Sequence, residues 1–381
     1  GCGGGGGIGG TGSPMGTMRV SLTDAPSCGY DEVNVTVEKV RVNRSASAGD
    51  SDSGWVDIPV TGTPMPVDLL SLSNGVLASL GEADLPAGHY AQLRLVLAAN
   101  SNNPNLPLAN SVVLSGTGVE KALDTPSAQQ TGLKINVDLD VPATKVLDVV
   151  LDFDACKSVV KAGNSGKYLL KPVLKATPVL SDAGLRVVGW IEPAAAASAP
   201  SVSVQASGVP VKATLPDPIT GQFVLYPVPV GNYDLVVTGA GRVTSVMTGV
   251  PVVDTAYTYV NSASAPIAPA LAASAPQAVS GFLTSVGGGI VRALQTLTGG
   301  PTVEVAAQPV SAGASSPFGM TLPVDAPQKT SYAPNPPALT FVPDPGSAGR
   351  YTLEATADGA TQAQAVDLNV LPIPPVTFVF P

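Results

Sequence analysis

The chain has 381 residues, a formal net charge of −9 and a pI near 4.6, with 12% charged and 44% hydrophobic residues. It has no basic patch and no apolar run near the ~20 residues of a membrane-spanning helix, which argues against nucleic-acid binding, charge-driven membrane attachment and helical membrane insertion. Gly (41) and Pro (37) are too frequent for long helices, so the expected fold class is all-β.

The chain starts with "GCGGGGGIGGTG". Such a run loses more backbone entropy on ordering than any other and buries almost no side chain. Residues 1–16 therefore read as a Gly-rich head. A cysteine followed by glycines is how many bacterial lipoproteins begin after signal-peptide removal, although here Gly1 precedes Cys2. Cys2 is thus the candidate for lipid attachment or an intersubunit disulfide. Ile8, Met15 and Met18 supply the apolar contacts if the head docks on a neighbouring copy. A chain dominated by Ser, Thr, Gly, Ala, Val and Pro, and poor in Lys and Glu, has the look of an exported bacterial surface protein.

From residue 17 to about 180 the apolar pattern alternates with period two. "YDEVNVTVEKVRVNR" predicts a strand or a bent pair, with Val33, Val35 and Val37 on one face and Asn34, Thr36 and Glu38 on the other. "VDLLSLSNGVLASLG" has helix-compatible spacing and predicts a short helical turn or a loop crossing. "YAQLRLVLAAN", "LKINVDLDV", "VLDVVLDFD" and "KYLLKPVLKATPVL" predict strands, and "GDSDSG" a hairpin tip. One phrase recurs: Gly88-His89-Tyr90, Gly231-Asn232-Tyr233 and Gly349-Arg350-Tyr351 each follow a turn and open an alternating strand. The last two copies share wider context. "TGQFVLYPVP" parallels "SSPFGMTLPVDAP", "RVVGWIEP" parallels "AVSGFLTS", and "TGVPVVDTAYTYV" parallels "VDLNVLPIPPVTFVF". Residues 181–262 and 278–381 therefore read as two diverged copies of one small β-domain, with Phe223 and Phe318 on equivalent strands and Tyr233 and Tyr351 as equivalent core anchors. The Ala/Pro/Ser-rich stretch 263–277 reads as an extended, semi-stiff spacer.

These segments carry a resemblance. "SLTDAPSCGYDEVNVTVEKVRVNR", "WVDIPV", "VDLLSLSNG", "LPAGHYAQLRLVL", "TPSAQQTGLKINVDLDV", "VLDFDACKSVV" and "GKYLLKPVLKA", in order over about residues 18–177, resemble the bacterial envelope family called Domain of Unknown Function 4382. The two later units are similar to carboxypeptidase-regulatory-like, transthyretin-like modules. The resemblance implies three tandem Ig-like or transthyretin-like β-sandwiches in a secreted or lipid-anchored protein. It supplies no catalytic residues.

Enzyme chemistry finds little to work with. His89 is the single histidine, and its place in the repeated turn is filled elsewhere by Asn232 and Arg350, which reads as a solvent-facing residue and not a general base. The glycine run lacks the Gly-Lys-Ser/Thr end of a phosphate loop. Asp152 and Asp154 lie two apart on one strand, and Asp24 or the Asp31-Glu32 pair could approach them. Such oxygens would suit calcium, whereas the plainer reading is an Asx-turn at Asp24 and a solvated face. Cys28 and Cys156, in one exported domain, favour a disulfide over two partly buried thiols. The expected function is a non-enzymatic, extracellular structural subunit of a bacterial cell surface that forms a homo-polymer through its head or edge strands. The alternative is a lipoprotein displaying β-sandwiches to a glycan or protein partner, with membrane contact only through a lipid on Cys2. Neither requires a cofactor.

Overall fold

The computed structural model describes residues 12–24, 28–125, 131–336 and 338–381 of the chain. The chain is all-β, in tandem β-sandwich units, and no described helix is long and apolar enough to cross a membrane.

The first unit wraps three sheets around one core. One sheet runs Leu174–Val179, Val146–Phe153, Met15–Asp24, Ala78–Pro86; a second runs Leu133–Val141, Gly88–Leu97, Val37–Asn43, Val56–Pro59; a third holds six short strands. "YDEVNVTVEKVRVNR" is indeed a bent pair: Tyr30–Val35 lies in the third sheet and Val37–Asn43 in the second. The bend is at Thr36. It is buried, contrary to the alternation, because its N–H donates to Asn110 Oδ1 (3.1 Å) and its hydroxyl to the Ala109 carbonyl (2.7 Å). Polar partners inside the fold make that burial tolerable. "KYLLKPVLKATPVL" splits into Tyr168–Leu170 and Leu174–Val179, with Pro172 between them, where no ladder N–H is available. The segment with helical spacing holds one 3₁₀ turn, Leu69–Ser71, capped by Asp68, before the strand Ala78–Pro86. "GDSDSG" is a turn between Val37–Asn43 and Val56–Pro59.

The repeat of the second and third units is visible in register. Gly189 pairs with Phe223 and Gly281 with Phe318, each in an antiparallel pair. A side chain at either glycine would strike the opposing phenyl ring, so the glycines make room for the two buried rings. In both units the strand bearing that glycine also takes a later strand in parallel, Thr258–Tyr259 in one and Val376–Val379 in the other. Tyr90, Tyr233 and Tyr351 are all buried, and each hydroxyl donates to the carbonyl of a proline: Pro86 (2.7 Å), Pro229 (2.6 Å) and Pro323 (2.6 Å).

The third copy reaches its proline across a long insertion, and the insertion leaves its own unit. Its strand Gln328–Ser331 pairs in parallel with Ser245–Val252 of the second unit, and Val342–Pro343 extends the same sheet. Tyr332, Leu339 and Phe341 pack on the second unit's core. The stretch 263–277, read from composition as an extended spacer, opens on a tight turn, with the Ala265 N–H on the Ser262 carbonyl (3.1 Å), and then runs bound against the second unit. Ile267 is buried, with its N–H on the Trp190 carbonyl (2.8 Å), and Val243 N–H reaches the Ala270 carbonyl (2.9 Å).

Truncating a buried aromatic costs about 3–5 kcal/mol, a large share of the ~5–15 kcal/mol that holds a domain. Tyr233→Ala and Tyr351→Ala are expected to lower the unfolding free energy of their own unit by that order, read from urea titration. Tyr233→Phe and Tyr351→Phe, losing one hydrogen bond each, should cost about 1 kcal/mol. Equal, negligible losses in both pairs would show that these rings do not anchor the repeats.

Candidate functional site

The densest chemistry lies where the three units meet. A cleft of about 230 Å³ there is lined by Asp152, Asp154, Lys157, Lys175, Lys212 and Arg292, among others. Each side chain is aimed by a simple local cause. Asp152 sits near the end of the strand Val146–Phe153. Asp154 is the N-cap of the short helix Ala155–Ser158 and accepts the Lys157 N–H (3.0 Å), the role an Asp fills well because its oxygen replaces a missing helical acceptor. Lys175 and Lys212 come from the edge strands Leu174–Val179 and Val209–Thr214. Arg292 and Glu304 lie on paired strands of the third unit and meet diagonally across them.

The charges pair across unit boundaries. Lys212 of the second unit, its side chain 1% exposed, donates to Asp152 Oδ1 (3.1 Å) and to the Asp24 carbonyl (3.1 Å) of the first. Lys157 of the first unit reaches both oxygens of Glu304 of the third (3.1 Å each). Arg292 joins Glu304 (3.3 Å) to Glu354 (2.7 Å) and donates to the Gly208 carbonyl (2.8 Å) of the second unit. Neutral contacts follow the same route. Gln205 and the backbone of Glu304 exchange two hydrogen bonds (2.9 and 2.8 Å), so a side-chain amide stands in for a strand partner. Asn74 bonds Thr214 Oγ1 (2.6 Å), the Gln222 carbonyl (3.3 Å) and Val224 N–H (2.6 Å). Burial pushes the Asp154 carboxyl above the usual carboxylate range despite Lys157 beside it, and burial holds Lys175 below the usual lysine range. Burial pushes Arg292 down as well, but hydrogen bonds and charge from Glu354 and Glu304 more than offset it, and its pKa is raised.

The structure places Asp24, Asp152 and Asp154 together here, as the sequence suggested, but not around one point. Asp24 Oδ1 accepts the Ala155 N–H (2.9 Å), Asp154 caps the helix and Asp152 faces an ammonium. The calcium expectation therefore meets carboxylates already engaged by a lysine and by backbone N–H groups. Among the described residues, the group of His, Cys, Asp and Glu side chains close enough to share an ion is His89, Asp138 and Asp140, all exposed. His89 itself is solvent-facing, as its place in the repeat implied. It lies on the strand Gly88–Leu97, with Nδ1 3.1 Å from Asp140. Asp31 accepts the Gly116 N–H (3.2 Å), away from the junction.

Cys28 and Cys156 form a disulfide with Cα atoms 5.2 Å apart, closing a separation of 128 residues. The bridge lines a cleft of about 510 Å³ between the first and third units. Cys156 also immediately precedes Lys157, so the covalent tie anchors the helix that reaches Glu304. Cys2 and Ile8 lie outside the described residues. Met15 is half exposed at the start of its strand, whereas Met18 is fully buried in the first unit's core. Met18 is thus a core residue and not part of a docking segment, because the period-two pattern of its strand turns it inward.

Lys157, Lys212, Arg292, Glu304, Asn74 and Gln205 escaped the sequence reading. One signal was present for Lys212: a lone charge in the alternating strand "VPVKAT", in a chain so poor in charge. Residues 15–172 match the family described as Domain of unknown function (DUF4382), and the match ends before the second unit. No curated protein matches the chain.

Removing one partner of a buried pair costs about 3–5 kcal/mol, because the other charge is left stranded. Lys212→Met is expected to lower stability by that order, and Lys212→Met combined with Asp152→Leu to cost less than the single change. A double variant as unstable as the sum of its singles would show no coupling. Asp154 gives a pH signature. Its folded pKa lies above the unfolded one, so the native state binds the extra proton, and the charged form works against folding once pH rises above the carboxylate range. Asp154→Asn keeps a capping oxygen. It should raise the urea midpoint at about pH 7 and leave it unchanged near about pH 3, where both states of Asp154 are protonated. A loss of stability at neutral pH would reverse this reading.

Proposed function

We propose that the chain, whose first unit matches a family of unknown function, is a non-catalytic structural protein of a bacterial cell surface. In this reading it associates with further copies of itself into a fibre. The observation that carries the reading is how the few charges are used. In a chain with 12% charged residues, Lys157, Lys212, Arg292 and Glu304 are engaged in ion pairs and hydrogen bonds that join three units, even where they line the cleft between them. A disulfide braces the first unit beside the helix that carries Lys157, and a strand-bearing insertion ties the third unit to the second, an arrangement suited to a part that bears load outside the cell. In this reading the Gly-rich segment 1–12 docks on a neighbouring copy. Glycine allows two backbones to approach closely, but it brings little apolar area, so contacts between folded units must supply much of the affinity. The cysteine within the glycine run supports a second reading, a lipid-anchored protein that displays the same units to a glycan or protein partner.

Electron microscopy of the purified full-length protein is expected to show filaments, and deletion of residues 1–12 to abolish them while circular dichroism is unchanged. Filaments that persist without the head would refute head docking. Dispersed particles together with a lipid mass on the Cys2 peptide would replace the fibre reading with the second one.

A further inference from the structure

The strand Ala360–Asp367 of the third unit is a sheet edge of an uncommon kind. It ends the sheet Thr302–Val310, Gly289–Thr296, Arg350–Ala357, Ala360–Asp367, and pairs with Arg350–Ala357 over its whole length without a register shift. Its sequence, ATQAQAVD, has no proline and no charge before its last residue. Natural sheet edges are normally blunted, by a charge, a proline, a bulge or short length, because an open row of N–H and C=O groups templates further pairing. Among the described residues, every other edge strand of more than four residues is blunted. Leu174–Val179 carries Lys175 and Pro178, and Val209–Thr214 carries Pro210 and Lys212. Gly313–Leu322 carries Pro317 and a register shift. Ala78–Pro86 and Leu133–Val141 each combine a register shift with interior charges, and Thr302–Val310 combines a register shift with Glu304 and Pro309.

The hairpin turn decides which atoms face out. Asp358 and Gly359 both have positive φ (50° and 76°), the two-residue turn closed by a bonded pair, here Ala357 and Ala360. Bonded and non-bonded positions then alternate, so Thr361, Ala363 and Ala365 turn their N–H and C=O groups away from the hairpin. All three are exposed, and none makes a further backbone hydrogen bond to the described residues.

We infer that this edge pairs with the same edge of a second copy of the chain, antiparallel about a two-fold axis through Ala363. Residue 363 then opposes its own equivalent, Thr361 opposes Ala365 and Gln362 opposes Gln364. The outward groups of all three positions meet their like, giving about six backbone hydrogen bonds. The same register sets no charge against a like charge: Asp358 and Asp367 fall opposite Leu368 and Gly359. Small side chains at 361, 363 and 365 let the outer face close without a clash. The pairing makes one continuous sheet across two molecules, the strand-addition mode of recognition. It is closed by its symmetry and stops at a dimer, so it stands whether or not the protein forms fibres.

Sedimentation of the full-length chain over a range of concentrations tests this. The same chain without residues 1–12, in which head docking cannot contribute, is expected to show a monomer–dimer equilibrium, and the wild type to contain at least that dimer. Ala363→Lys, which sets two ammonium groups opposite each other on an exposed face, should raise the dissociation constant at least about tenfold with no change in unfolding midpoint. In a Cys2→Ser background, Ala363→Cys should cross-link copies under mild oxidation, and Thr361→Cys alone should not. A chain monomeric at all concentrations, a dimer indifferent to Ala363→Lys, or equal cross-linking from both cysteine variants would overturn the inference.

Discussion

The ammonium of Lys212 lies almost wholly out of solvent between a carboxylate and a backbone carbonyl that belong to a different unit. A buried charge is costly to desolvate and is tolerated only where a partner and further hydrogen bonds meet it. The second unit therefore cannot bury this lysine by itself, because Asp152 and the Asp24 carbonyl are both on the first. The same constraint recurs at Lys157, whose carboxylate partner Glu304 is on the third unit, and at Arg292, which caps a carbonyl of the second. Charges buried in this way discriminate strongly between one packing of the units and any other, since a shifted arrangement would leave several of them unpaired. Apolar contact alone would discriminate less. The small cluster of Val150, Val179, Leu185 and Tyr226, and that of Val236, Val246, Leu297 and Val303, also span unit boundaries, but such surfaces can slide.

The insertion in the third unit reinforces this arrangement by a different means. It interrupts the repeat at the point where the buried tyrosine meets its proline carbonyl, yet the Tyr351 hydroxyl still finds Pro323. The repeat's anchor is kept while the intervening chain is free to add two strands to a neighbouring sheet. Strand addition is directional and register-specific, so it complements the ion pairs: one fixes distance and polarity, the other backbone alignment. The disulfide belongs to the same set, since it holds the short helix whose Lys157 crosses to the third unit. By contrast, the His89–Asp138–Asp140 group is exposed and joins nothing.

Much of the fold was legible because its causes are local. Alternation predicted the strands, the Gly-x-Tyr phrase predicted three buried tyrosines, and the parallel contexts of Phe223 and Phe318 proved to be the same register against a facing glycine. The Cys28–Cys156 bridge followed from the count of cysteines in one domain. What the alternation and the composition did not show is where polar groups find partners inside the fold. Thr36 is inside because Asn110 and the Ala109 carbonyl receive it, and the Ala/Pro/Ser stretch lies along the second unit because its backbone groups find partners there. Asp152 and Asp154 looked like ligands on one face because sequence shows a carboxylate's spacing and not what stands opposite it.

Sequence alone determined that the chain is β-rich, that its second and third units repeat one plan, and that its first unit carries a disulfide. Each of these rests on periodicity, turn chemistry or residue identity, all of which act over short separations or by simple count. Only the tertiary structure decided which charges meet. Lys212 and Asp152 are 60 residues apart, Lys157 and Glu304 147. No periodicity links such positions, because their pairing is a property of how folded surfaces are set against each other. The open edge at Ala360–Asp367 is of the same kind: its strand could be read from the sequence, but that no described strand pairs beyond it depends on where every other strand of the third unit lies.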